Sequence, residues 1–313
     1  MNAMPGRRSV VAMDTIVTID VPGETPGETA NRDEAIERAL GWFAAVEMCC
    51  TRFDPNSELM QLTAQCGHAV PVSDLLFEAI QFAVAVAHQT GGAFDPAVGH
   101  SMHSRGFDRE YTSGQSIRAR LGAVGPVTYR DVQLNLDRKT VTLLRPLILD
   151  LGAVAKGLAI DLAAHELKAF PNFSIDAGGD LYLAGVNAAG TSWSIGIRHP
   201  RIDGELIDVL SISGRAVCTS GDYERRHPAE PNEHHILDPR SGSSPTNVAS
   251  ATVVAPTAML ADALATAVFV LGPLEGIRLL DDLGVDGLII TPALERHETS
   301  GMKEYTCGSP AIL

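Results

Sequence analysis

DLGAVAKGLAID, residues Asp150–Asp161, is the stretch that decides the fold. It follows the strand-like run VTLLRPLIL (141–149) and continues as an apolar helix. Its charged residues, Asp150, Lys156 and Asp161, stand among Leu, Ala, Val, Ile and Gly at this joint between two buried elements. A strand that ends at Asp150 directs the first amides of the next helix at one point, which suits an anion such as phosphate. The alternative is structural: an aspartate that caps the helix and a lysine whose amine reaches solvent.

The run TAMLADALATAVFVL (257–271) predicts a helix that is apolar, and therefore buried, on every side. Asp262 stands in its middle, and an unpaired buried carboxylate costs on the order of several kcal/mol. Thr266 lies one turn further along the same face and offers a second oxygen. Two hard oxygens at this spacing suit Mg2+, which takes few protein ligands. The alternative is an aspartate that caps a neighbouring loop and a threonine that bonds back to its own helix.

The remaining pattern groups helices and strands in separate runs, which favours an α+β fold of mixed β-sheets with packed helices in two closely associated lobes. No linker or repeat interrupts the chain. We therefore predict a flexible N-terminal segment over 1–12 and a single domain over 13–313. The predicted helices cover 33–48, 74–89 (capped by Ser73), 257–271 and 273–283, and the predicted strands lie at 13–21 and 286–291 and within 126–150, 172–225 and 248–255.

Composition excludes several classes of function. The net charge of -14 and the lack of a basic stripe argue against nucleic-acid binding. The five cysteines form no CxxC pair, so neither a zinc site nor a disulfide framework is expected. Motifs of dinucleotide-binding, P-loop, serine-hydrolase and zincin proteins are absent. Without a membrane-spanning apolar run or a signal peptide, we expect a cytoplasmic protein, or a periplasmic one if a leader has been removed.

Short motifs along the chain occur in an order that carries more information than any one of them. They are AFDPAVG (93–99), LDLGAVAKGLAID (149–161), DAGGD (176–180), TSGDYE (219–224), HHILDPRSG (234–242) and ADALATAVFVLG (261–272), with MDT (13–15) near the start and SGM (300–302) near the end. Over roughly residues 10–303 they resemble the FAD:protein FMN transferase (ApbE-type) family. Proteins of that family bind FAD and, with Mg2+, move its FMN half onto a threonine hydroxyl of a partner protein and release AMP. The resemblance thus implies a transferase with FAD as substrate, Mg2+ as cofactor and an acceptor flavoprotein as partner.

The resemblance also implies roles for single residues. Asp262 and Thr266 match side-chain metal ligands, and the backbone carbonyl of Ala153 matches a third. His235 matches a histidine near the pyrophosphate and is a candidate for the general base, as is an aspartate of the GGD (178–180) or SGD (220–222) loop. We assign catalytic roles to His235 and Asp262. The positions that match the lining of FAD are Met13, Phe53, Ala93, Phe94, Asp95, Asp150, Lys156 and Ile236.

Two departures from the family pattern are visible. Phe53 stands where relatives often have tyrosine, so stacking is retained and a hydroxyl is lost. Arg105 stands where relatives commonly have tryptophan, which puts one packing or FAD contact in doubt. Two other functions remain open at this level. One is an FAD pyrophosphatase, in which water replaces threonine and FAD gives FMN and AMP, and the other is a non-catalytic FAD-binding protein.

Overall fold

The computed structural model describes residues 6–23, 29–108, 125–225 and 233–306. The helices of this part are α1 (Thr29–Cys50), α2 (Glu58–Thr63), α3 (Asp74–Gln89), α4 (Gly99–Ser104), α5 (Gly152–Glu166), α6 (Ala258–Leu271) and α7 (Pro273–Leu283). The strands are β1 (Arg7–Ala12), β2 (Thr15–Asp20), β3 (Ala69–Pro71), β4 (Val132–Asn135), β5 (Thr140–Leu143), β6 (Phe173–Ala177), β7 (Asp180–Ala184), β8 (Trp193–Arg198), β9 (Leu206–Ile212), β10 (Arg215–Gly221), β11 (Ser250–Ala255), β12 (Asp286–Ile290) and β13 (Arg296–Glu298). None of the helices described here has both the length and the apolar character needed to cross a membrane.

The strands form three sheets. The largest has eight strands in the order β1-β2-β6-β7-β10-β11-β12-β13, and β3-β5-β4 and β8-β9 form two smaller sheets. Within the described ranges, the strands named above pair only in antiparallel fashion. Antiparallel sheets with helices grouped beside them are the mark of the α+β class, so that prediction is confirmed.

The centre of the large sheet is buried on both faces. Successive side chains of a strand point to opposite faces, and β10 shows this directly. Ala216 and Cys218 belong to the core shared with the helices, whereas Val217 belongs to the core beneath β8 and β9. Helix α6 packs on β10 and β11 on the helical side, which explains why its sequence is apolar all round.

Helices α5 and α6 approach each other closely, and we call this pair the floor of the site. A Cβ atom at Gly157 would lie 2.4 Å from the Met259 Cα and 2.6 Å from the Ala258 carbonyl oxygen, so only glycine permits this packing. Asp161, one turn further along α5, accepts hydrogen bonds from the backbone N–H groups of Ala258 (2.7 Å) and Met259 (2.9 Å). It therefore caps the N-terminus of α6 from the neighbouring helix. Among the charged residues of the Asp150–Asp161 stretch, Asp161 therefore has the role of a helix cap.

The prediction of a flexible segment over 1–12 is wrong for residues 7–12, which form β1 in register with β2. Residues 1–5 lie outside the described part. Met13 and Asp14 make the turn of this hairpin with φ values of 52° and 62°. Positive φ at both central residues matches the twist of the strands, but Asn-Gly or Asp-Gly is the usual sequence for such a turn. Met-Asp carries no such signal, so the sequence did not reveal the hairpin.

A second correction concerns the approach to α5. The strand expected to end at Asp150 stops at Leu143, and 144–150 is irregular. Pro146 cannot donate a ladder hydrogen bond, which explains the early stop. Elsewhere the periodicity was reliable: the predicted helices 74–89 and 273–283 are α3 and α7 with the same bounds, and the Ser73 side chain caps α3 by accepting from the Leu76 N–H.

Candidate active site

The Asp262 carboxylate lies at the floor of the site on α6 and is only 6% exposed. Its Oδ2 atom is buried without a hydrogen-bond partner among the described residues. Burial raises the pKa of Asp262 to about 7; the Asp180 carboxylate adds to the rise and Lys156 opposes it. A buried acceptor without a partner costs roughly 1–3 kcal/mol, so this position fits a bound cation.

Two further oxygens lie on the same helices. Thr266 stands one turn after Asp262, and its Oγ1 is 3.4 Å from the Ser220 Oγ of β10. Ala153 departs from helical geometry inside α5, with φ -92° and ψ 18°. In a regular helix the Ala153 carbonyl would accept the Gly157 N–H. That N–H lies close enough to Asp262 to lower the pKa of the Asp262 carboxyl.

The donor set is therefore one carboxylate, one hydroxyl and one backbone carbonyl. All three are hard oxygens, which suit Mg2+ better than zinc or copper. The described residues contain no group of three or more His, Cys, Asp or Glu side chains arranged to hold a metal ion. A site of this kind resembles those in which Mg2+ takes few protein ligands and completes its shell with water and phosphate oxygens.

The Lys156 amine forms an ion pair with the Asp180 carboxylate, whose side chain is 5% exposed against 28% for the lysine. The second oxygen of Asp180 accepts the Thr219 N–H at 3.3 Å. Burial alone would lower the pKa of Lys156, but the carboxylates of Asp180 and Asp262 raise it above its ordinary value. Lys156 is thus a fixed positive charge at the floor of the site. Asp180 is its anchor, a role that the sequence did not assign.

His235 enters from the HHILDPRSG loop. Its Nδ1 lies 3.3 Å from the Glu224 carbonyl oxygen, and because a carbonyl only accepts, Nδ1 carries the proton and Nε2 is left as a base. Burial lowers the pKa of His235 to about 3, and the charge of Arg225 contributes. Of the three base candidates, the two aspartates are in ion pairs, Asp180 with Lys156 and Asp222 with both terminal nitrogens of Arg201 at 2.7 Å. His235 is the candidate that is neutral and oriented.

The depressed pKa of His235 gives a direct prediction. Because the folded value lies below the ordinary 6.5, the folded protein does not take up this proton as the pH falls, whereas the unfolded chain does. Any stability that this histidine contributes is present above about pH 6.5 and is lost toward about pH 3. In a histidine NMR titration, the His235 ring should remain neutral down to about pH 4. A midpoint near 6.5 for His235 would contradict the assignment.

The N-terminal hairpin and the DAGGD turn meet beside these groups. A Cβ at Gly178 would lie 2.2 Å from the Thr15 Oγ1, so the turn and the hairpin are in direct contact. The Met13 N–H donates to the Glu47 carboxylate at 3.0 Å, which fixes the hairpin on α1. Ile236, directly after His235, is 5% exposed. Motifs that are far apart in sequence are thus neighbours in the fold.

The Asp95 carboxylate accepts hydrogen bonds from two backbone N–H groups. Its two oxygens accept the N–H groups of Ala97 (2.8 Å) and Tyr129 (3.0 Å). Burial raises the pKa of Asp95, and the two amides oppose that shift. Ala93 and Phe94 beside it are 1% and 5% exposed. The contacts of these residues with FAD stay predictions.

Comparison with other proteins accounts for the motifs and the fold. The ApbE family model matches residues 13–289. The chain belongs to the ApbE family. It is 32% identical to the FAD:protein FMN transferase of Treponema pallidum (94% of this chain, 87% of that one) and 34% identical to one from Klebsiella pneumoniae (83% and 84%).

Solved structures agree. The crystal structure of the ApbE protein from Thermotoga maritima superposes with a TM-score of 0.85 at 28% identity, covering 96% of this chain and 98% of that one. The flavin transferase ApbE from Vibrio cholerae gives a TM-score of 0.78 at 25% identity, with the same coverage. An ApbE-family chain with such relatives is an enzyme of the transferase class.

Arg52 is a residue that the ApbE resemblance did not point to. Its Nε lies 2.7 Å from the Asp150 Oδ2, and its guanidinium lies over the Phe53 ring, 4.4 Å from the centroid. Another nitrogen donates to the Phe107 carbonyl at 2.8 Å, and the side chain is 6% exposed. Arg52 therefore holds Asp150 and Phe53, two predicted FAD-lining residues. The only signal in the sequence was an arginine directly before that aromatic residue.

Arg105, which stands where ApbE relatives commonly have tryptophan, forms an ion pair instead of the packing contact of a ring. Its guanidinium pairs with the Glu233 carboxylate at 2.9 Å. Glu233 also accepts the Ser244 hydroxyl at 3.1 Å, and Ser244 in turn accepts the His234 N–H. An ion pair thus joins the segment after α4 to the histidine loop in this chain.

Proposed function

We propose that this chain transfers the FMN moiety of FAD to a threonine hydroxyl of an acceptor flavoprotein, forming a phosphoester bond and releasing AMP, with Mg2+ as cofactor. The observation that carries the proposal is the buried Asp262 carboxylate with its unpartnered oxygen, placed beside Lys156 in an ApbE-family chain. Relatives named FAD:protein FMN transferase support FAD as the substrate.

Asp262, Thr266 and the Ala153 carbonyl are the residues that would hold Mg2+. All three donors are oxygen atoms, which Mg2+ prefers. The buried Oδ2 of Asp262, which has no hydrogen-bond partner among the described residues, would gain a partner in the ion. When bound, the ion supplies charge neutralisation at the pyrophosphate and orients it.

The chain's own residues account for the other requirements. Phosphoryl transfer is catalysed mainly by positioning and by neutralising charge on the phosphate oxygens. Lys156, kept protonated and anchored by Asp180, places a positive charge beside Asp262. His235 holds its proton on Nδ1, so Nε2 accepts the proton of the incoming threonine hydroxyl. Arg52 orients Asp150 and Phe53, which are the proposed contacts to the flavin nucleotide.

The test is mass spectrometry of a candidate acceptor flavoprotein after incubation with the protein, FAD and Mg2+. We expect one FMN added to a threonine peptide and an equal amount of AMP, and an acceptor with that threonine changed to valine is the control. FMN and AMP released with no modified acceptor would replace the proposal with a pyrophosphatase. FAD bound without any turnover would identify a binding protein instead.

A further inference from the structure

Backbone strain is concentrated at one place in the molecule. Among the described residues, the non-glycine positions with positive φ are Met13, Asp14, Lys139, Arg225 and Leu294. Three of them meet: Met13 and Asp14 form the hairpin turn, and an Arg225 guanidinium nitrogen lies 4.0 Å from the Asp14 Oδ2. Each such conformation costs roughly 1–3 kcal/mol and persists only where the surroundings enforce it, characteristically at ligand sites.

Arg225, whose φ is 42°, follows the TSGDYE loop, and that loop touches the site at two points. The Glu224 carbonyl, directly before it, accepts the His235 Nδ1–H at 3.3 Å. Ser220, five residues earlier, contacts the metal-ligand candidate Thr266 at 3.4 Å. Arg225 therefore directly follows the carbonyl that orients the proposed base, in a loop that also contacts a proposed metal ligand.

The contact with Asp14 is loose. At 4.0 Å it is longer than a hydrogen bond, and the Arg225 side chain remains 48% exposed. The Arg225 guanidinium can therefore move toward a ligand without breaking a short hydrogen bond to Asp14. A guanidinium donates two parallel N–H groups in a fork that matches the oxygens of a phosphate, which the compact amine of Lys156 does not.

We propose that Arg225 is a further catalytic residue, which binds the pyrophosphate of FAD and stabilises the charge that develops as AMP leaves. The inference rests on the proposed function. In that reaction the threonine oxygen forms a bond to the phosphorus on the FMN side, and the bond from this phosphorus to the bridging oxygen breaks. The bridging oxygen leaves with AMP, and the hydroxyl proton passes to the Nε2 atom of His235. Arg225 donates to the phosphate oxygens on which negative charge increases.

The decisive variant is Arg225→Gly. Glycine adopts positive φ without the steric penalty, so the melting temperature should stay the same or rise. The kcat for FMN transfer should fall about 100-fold or more, the usual effect of removing one donor to a developing charge. Arg225→Lys should recover only part of the loss, because an ammonium lacks the fork. Arg278→Gln, an exposed arginine on α7, makes the same change in charge and should match the wild type.

A binding measurement separates a phosphate contact from a general disturbance of the loop. In flavin fluorescence titrations with Mg2+ present, Arg225→Gly should weaken FAD about 10-fold (~1.4 kcal/mol) and leave riboflavin, which has no phosphate, unchanged. Equal weakening of both ligands, or wild-type transfer by Arg225→Gly, overturns the role of Arg225 while the proposed function stands. If the wild type transfers no FMN at all, the proposed function fails, and the comparison of FAD with riboflavin still decides whether Arg225 contacts phosphate.

Discussion

Replacing Asp262 by asparagine should abolish Mg2+-dependent FMN transfer and leave the fold intact. Asparagine keeps the shape of the buried side chain but removes the charge that binds the cation. Because burial already raises the pKa of Asp262 to about 7, the neutral side chain suits its surroundings and the fold tolerates the change. Loss of a metal contribution of several kcal/mol corresponds to a decrease in kcat of roughly a thousand-fold or more.

The same variant has a readout that does not depend on turnover. Mg2+ that binds only the folded state stabilises it by about 2.7 kcal/mol at a hundred times its dissociation constant. The wild type should show this rise in melting temperature, and Asp262→Asn should not. Asp208→Asn is the matched control, since Asp208 is also buried but pairs with Arg296 on the far side of the large sheet. Full activity in Asp262→Asn, or a retained Mg2+ shift, would remove Asp262 from the metal site.

Replacing Lys156 by methionine should damage both stability and activity. The Asp180 carboxylate is 5% exposed and would lose the cation it pairs with, and breaking a buried pair from one side costs about 3 kcal/mol. FMN transfer should also fall, because the fixed positive charge beside Asp262 is gone.

The double variant Lys156→Met with Asp180→Asn separates the two effects. It removes both charges, while the asparagine oxygen still accepts the Thr219 N–H, so most of the lost stability should return. Activity should not return, because the lysine is still absent. Chemical denaturation measures the first quantity and AMP release the second. Recovery of activity in the double variant would show that Lys156 serves only to neutralise Asp180.

The elements that could be predicted from sequence are those whose signals are local. The apolar run around Asp262 predicted a buried helix with an unmet carboxylate, and the Ser73 cap marked the start of α3. What was missed depends on contacts between distant segments. Asp161 caps a helix that begins 97 residues later, and Arg52 is defined by Asp150, far along the chain. No spacing rule reports such pairs.

The hairpin was missed for a different reason. Its turn uses Met13 and Asp14, residues that rarely adopt positive φ, so local preference pointed away from the observed structure. Disagreement between local preference and global fold is expected where function imposes a conformation. Arg225, whose side chain lies near that turn, also has a positive φ, and no sequence pattern marked it as a site residue.

The floor of the site also bears on how a nucleotide binds. Asp262, Thr266 and Ala153 belong to two helices that are locked together at Gly157 and capped through Asp161. The conformational entropy of these donors is therefore lost when the chain folds, and little more is lost on ligand binding. Because these donors are preorganised, the parts of the site that adjust to a bound nucleotide are the TSGDYE loop and the N-terminal hairpin. Substitutions that loosen the packing of α5 on α6 should weaken binding even though they touch no ligand atom.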